Sequence, residues 1–92
     1  MKNLIHTSEF KKVVVNYKDF EIKVTSINTE HFHQIENVKV RYRITDMLKP
    51  EETMLRNTWI NGSYYLNSVD FNEFETEVKD LVNTILKNGY RS

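Results

Sequence analysis

Apolar and polar residues alternate most regularly between 38 and 45, where Val38, Val40, Tyr42 and Ile44 interleave with Lys39, Arg41, Arg43 and Thr45. A period of two is that of a half-buried strand. The pattern therefore predicts a strand over about 37–45 with one apolar face and one strongly basic face. Phe20, Ile22 and Val24 alternate in the same way with Glu21, Lys23 and Thr25, which predicts a strand over about 20–27. Upstream, the β-branched run Val13-Val14-Val15 favours a strand over about 10–17, with Val13, Val15 and Tyr17 on one face. The polar pair Lys18-Asp19 interrupts the two patterns, so a tight hairpin turn is expected there.

Past Asp46 two readings stand side by side. In "KPEETMLRN", Pro50 suits a first helical turn and Glu51 and Glu52 suit its positive end. A loop leading into a strand at about Met54 fits the same residues. Asn61-Gly62 then supplies the dipeptide that best tolerates the positive φ angles of a two-residue hairpin turn. It is expected to join strands over about 54–60 and 63–67. Such a hairpin pairs Trp59 with Tyr64 and Asn57 with Leu66 on a core face, and leaves Thr58, Ile60 and Tyr65 on the outer one.

The C-terminal segment carries a helical pattern over about 71–88. Phe71, Phe74, Val78, Leu81, Val82 and Ile85 recur at helical spacing, while Glu73, Glu77 and Asp80 fall off the stripe. Asp70 and Glu73 have the spacing of a capping box, and Val69 and Phe74 that of a hydrophobic staple. Gly89 suits the left-handed position that ends a helix, after which Tyr90 is placed to fold back on Ile85. Residues 1–92 are thus read as one α+β domain: an antiparallel sheet of four to five strands in meander order, with one C-terminal helix packed across one face.

Composition narrows what such a domain does. With 92 residues, one core is affordable but a deep cofactor cleft beside it is not. No cysteine is present, which removes disulfides, thiolate metal sites and cysteine nucleophiles. Only two glycines occur, and no glycine-rich phosphate loop, Gly-x-Ser-x-Gly turn or His-Glu-x-x-His motif is found. No enzymatic activity and no cofactor are expected. Neither a membrane-length apolar run nor a secretory signal is visible, so a cytoplasmic protein without membrane contact is expected.

His31 and His33 lie two apart between Glu30 and Glu36. A zinc site needs three or four ligands, and the only other histidine, His6, is distant in sequence. The segment is read as a polar connection between strands, without a metal.

Lysines and arginines balance aspartates and glutamates at 13 each, so overall charge does not drive the chain onto a polyanion. The charge is nevertheless divided: residues 1–49 hold nine basic and six acidic side chains, and residues 50–92 hold four and seven. A mildly positive sheet and a mildly negative helix suit docking to a partner of mixed charge, and also suit self-association into a homodimer. The basic stripe Lys39, Arg41 and Arg43, extended by Lys23 and joined by Tyr65, marks the outer sheet face as the contact surface. A solvated face with Glu21 in cross-strand pairing is the plain alternative.

The asparagine- and lysine-rich composition is in the general style of accessory proteins of AT-rich bacteria and their phages. The expected function is a small non-enzymatic binding protein that occupies a surface of another macromolecule, as a regulator or inhibitor. The alternative is nucleic-acid binding by Lys23, Lys39, Arg41 and Arg43, whose spacing of about 7 Å along a strand approaches that of successive phosphates.

Overall fold

A computed structural model describes residues 4–32, 35–63 and 68–89, with side chains of 29–32, 35–37 and 61–63 outside that description. The elements run β1 (Leu4–His6), α1 (Thr7–Phe10), β2 (Val14–Tyr17), β3 (Phe20–Phe32), β4 (Ile35–Asp46), β5 (Thr53–Ser63), β6 (Ser68–Asp70) and α2 (Phe71–Asn88). They form a six-stranded sheet in the order β1-β6-β5-β4-β3-β2, every neighbouring pair antiparallel. Strands β2 to β5 are a meander, and α2 contacts the strands from one side. The class is α+β, as the alternation implied.

β4 dictates the core. Val38, Val40, Tyr42 and Ile44 are all buried, and so are Ile27, Val24 and Ile22, the β3 partners of Val40, Tyr42 and Ile44. On the other side, β5 is paired with Ile60 opposite Val38, Thr58 opposite Val40 and Met54 opposite Ile44. Because successive strand residues point to opposite faces, this register turns Thr58 and Ile60 inward and Leu55, Asn57 and Trp59 outward. The expected assignment of β5 faces is therefore reversed: Ile60 is fully buried, whereas Trp59 is 48% exposed.

The reversal has its cause in the turn. The strand continues straight through Asn61-Gly62, with Asn61 opposite Asn37, Gly62 opposite Val69 and Ser63 opposite Ser68. No turn is made at Asn61-Gly62, and the expected partners Tyr64 and Leu66 of Trp59 and Asn57 lie outside the described residues; on its β4 edge, β5 sets Trp59 opposite Lys39 and Asn57 opposite Arg41. Long-range pairing with β4 overrides the local turn preference of Asn-Gly. Beyond Ser63, the expected strand over 63–67 lies outside the described residues.

The expected Lys18-Asp19 turn is present. Both residues have positive φ, 47° and 65°, and Tyr17 faces Phe20 across the turn. That geometry gives the hairpin the twist its strands need. The N-terminal strand is shorter than its pattern suggested, since residues 7–10 form a helical turn and β2 starts at Val14. The turn places Phe10 in the core, edge-on to Phe74 at 5.1 Å and to Phe71 at 6.2 Å. Residues 47–52 form a loop: Lys49 N–H donates to the Asp46 carbonyl at 3.0 Å and Leu48 N–H to the Asp46 carboxylate at 2.9 Å. A further bond from Met47 N–H to the Asp19 carbonyl, 2.8 Å, ties that loop to the β2–β3 turn.

α2 begins where the sequence placed it. The Asp70 carboxylate accepts from Asn72 N–H at 3.0 Å and Glu73 N–H at 3.3 Å. Phe74, Val78, Val82 and Ile85 are buried, with Phe71 and Leu81 packed at the margin. From β6, at one side of the sheet, the helix passes Tyr42 of β4, edge-on to Phe74 at 5.5 Å. It then reaches the far edge, where the Tyr17 hydroxyl and Lys18 ammonium donate to Asn83 Oδ1 at 3.3 and 2.9 Å. Gly89, at φ 83°, closes the helix with a 2.7 Å bond from its N–H to the Ile85 carbonyl; Tyr90 lies outside the described residues. Replacing Asp70 by Ala removes the acceptor for two helix-start amides and is expected to cost roughly 0.5–2 kcal/mol, read from the midpoint of urea unfolding.

Burial pushes the Tyr42 phenol up to about 12, with repulsion from Glu77 added and attraction from Arg56 opposed. The neutral phenol is the form the fold favours. Its contribution is therefore intact below the ordinary value near 10 and is lost as pH rises through about 12. Urea unfolding across that window should show a loss of order 2 kcal/mol that Tyr42→Phe abolishes, at about 1.4 kcal/mol per unit reduced for solvent reaching the hydroxyl.

Candidate docking face

With α2 on one side, the opposite face of β2 to β5 is left open among the described residues. Its side chains form cross-strand rows set by the register. One row runs Val14, Lys23, Arg43, Leu55; the next holds Ser26, Arg41 and Asn57; a third holds Asn28, Lys39 and Trp59. The basic residues singled out from sequence, Lys23, Lys39, Arg41 and Arg43, are thus brought together on one face. Tyr65 lies outside the described residues.

The rows add apolar groups that the sequence pattern concealed. Leu55 is 76% exposed, Trp59 48% and Val14 43%, all on the same face as the cations. A hairpin turn at Asn61-Gly62 puts Trp59 in the core; the β4–β5 register puts it outside. The usable signal was the stronger alternation of β4, which fixes β5 through pairing.

Electrostatically the face is unbalanced. Lys23 and Arg43 stand directly opposite one another, a like-charged pair that costs stability on a sheet. None of the four cations forms an ion pair with a described carboxylate; the Lys79–Glu75 bridge on α2 is elsewhere. Glu21 is opposite Thr45 and Asn16, so it does not neutralise the stripe by direct pairing. Lys39 lies over the Trp59 ring, 5.7 Å from its centroid, within cation–π range.

A bulge shapes the centre. The register shifts between Val24 and Ser26, and the Thr25 hydroxyl donates to the Arg41 carbonyl at 3.1 Å. Two residues of β3 there oppose one of β4, which raises the local twist. Beside it a shallow depression of about 360 Å³ opens between Thr25, Ser26, Arg41, Leu55 and Asn57.

The opposite side of the molecule has the other sign. Glu73, Glu77 and Asp80 border a depression along α2 with Asp70, Asn72 and Thr76. The charge division read along the chain is thus a division between two faces. Among the described residues no group of histidine and carboxylate side chains is arranged to hold a metal. His33 and the side chain of His31 lie outside that description. No described helix is long and apolar enough to cross a membrane. Compared with known proteins, the sequence matches no family model, and neither the curated proteins nor the solved structures give a match.

Proposed function

We propose that this protein is a non-enzymatic docking module that occupies an acidic protein surface with the outer face of its sheet, and so regulates or inhibits that partner. The observation that carries the reading is the presence, in the same rows, of exposed large apolar side chains and of cations with no ion pair among the described residues. Arg41, Arg43, Trp59 and Leu55 combine contact area with directional hydrogen bonding, and Trp and Arg dominate the energetic centres of protein interfaces. Lys23 and Lys39 flank them and favour encounter with an acidic surface. A face kept only for solubility has no use for like charges set opposite one another at Lys23 and Arg43 beside an exposed leucine.

Nucleic-acid binding is the second reading, favoured by the same four cations and Trp59. It is weaker because single-strand platforms stack successive bases on several aromatics, whereas Trp59 is the one aromatic among the described outer residues of β2 to β5 and is already covered by Lys39. Fluorescence titration against single- and double-stranded DNA and RNA separates the two. The docking reading expects no binding at micromolar protein in physiological salt. Nucleic-acid binding gives an affinity whose log–log salt slope is roughly −0.7 to −0.9 per phosphate contacted.

A further inference from the structure

β3 is a long strand with a partner along only half of one side. β4 pairs with it from Phe20 to Phe32, whereas β2 reaches only from Phe20 to Lys23, with one further bond from Val24 N–H to the Val13 carbonyl at 3.2 Å. From Thr25 to Phe32 the other edge has no strand partner among the described residues. An unpaired edge of that length is a template for another strand.

The direction of the free donors follows from alternation. Val24 N–H points to the β2 side, and Val24 belongs to the buried face. After the bulge, Ile27 is the next buried position, so its N–H points to the same side. Backbone direction repeats every second residue, which aims the amides of Ile27, Thr29 and His31 along the open edge. The bulge at Thr25 marks where β2 ends and the free edge begins.

We propose that this edge accepts an extended, acidic segment of the partner as a seventh strand. The proposal rests on the outer face being the docking surface and names how the partner engages it. An added strand lies about 4.8 Å from β3 and about 10 Å from β4. Its alternate side chains emerge on the outer face beside Ser26 and Asn28, within reach of the long side chains of Arg41 and Lys39. Carboxylates there meet cations that have no described counter-ion. A second copy of the chain is the poorer occupant, because it extends the surface with its own Lys39, Arg41 and Arg43.

The test uses the isotopically labelled protein and a capped eight-residue peptide alternating Val and Glu, with the Val-Lys peptide as control. Amide hydrogen exchange of Ile27, Thr29 and His31 is expected to slow by about tenfold or more with the acidic peptide and not with the basic one. Thr29→Pro should abolish the protection, since its N–H serves no bond to β4 and proline is tolerated on an edge. The wild-type measurement stands if that variant does not fold. Protection with both peptides, or protection in the free protein that grows with its concentration, overturns the acidic segment in favour of any strand or of a second copy. Shifts of Trp59 and Arg41 without edge protection overturn strand addition while leaving the docking face standing. No response up to millimolar peptide overturns the proposal.

Discussion

Phe74→Ala is expected to lower stability by roughly 3–5 kcal/mol, the cost of an aromatic truncation that leaves a cavity. The ring is fully buried and meets Phe10 and Tyr42 edge-on, at 5.1 and 5.5 Å. It therefore joins the N-terminal turn, the central strand and the helix in one contact. Removing it loosens α1 and α2 together, so the unfolding midpoint in urea should fall further than for any cap variant. Leu81→Ala, from the margin of the same stripe, should cost less, because Leu81 is only partly buried. Equal midpoints for Phe74→Ala and wild type would mean that the helix does not cover the sheet.

The second large effect is on binding. Arg41→Glu combined with Arg43→Glu should weaken partner capture by more than about a hundredfold, since two central charges are reversed and hot-spot truncations alone reach 2 kcal/mol or more. Stability should move the other way or stay level. Arg43 faces Lys23, and a glutamate there turns a like-charged cross-strand pair into an opposite one, worth roughly 0.2–1 kcal/mol. A surface whose charge reversal stabilises the fold while destroying an interaction is retained for the interaction. Pull-down from the native host with wild type and variant, beside urea melts of both, reads the two effects separately. Undiminished capture by the variant contradicts the docking face.

What was legible in the sequence and what was not divides on physical grounds. β4 was legible because from Val38 to Thr45 its inner positions are all apolar and its outer ones all polar, so its period is clean there. α2 was legible because a capping aspartate precedes a stripe that its burial requires. The Lys18-Asp19 turn was legible as a break between two patterns. β1 and β6 span three residues each, too few to show any period. β5 hides its faces for a different reason: its outward residues include Leu55 and Trp59, while Arg56 and Thr58 alternate with them. Its periodicity is blurred by the very side chains that make the outer face sticky. A one-residue error in parity moves every side chain across the sheet, and Asn61-Gly62 supplied that error.

The cations of the candidate site were legible and its apolar half was not. Lys23, Lys39, Arg41 and Arg43 follow from alternation on β3 and β4, which is local. Leu55 and Trp59 join them only through the β4–β5 register, which is long-range. Opposite signs on the two faces were visible as a division along the chain, because the sheet precedes the helix in sequence.

Trp59 is the only tryptophan in the chain, which makes it a single-site reporter of the outer face. Protein labelled with 5-fluorotryptophan gives one fluorine resonance, whose shift between H2O and D2O measures solvent access to the indole. An outward Trp59 predicts a clear solvent shift in the free protein, and a docking face predicts its loss in the complex with the captured partner. A resonance insensitive to D2O in the free protein would place Trp59 in the core, and one equally sensitive in the saturated complex would put the partner elsewhere.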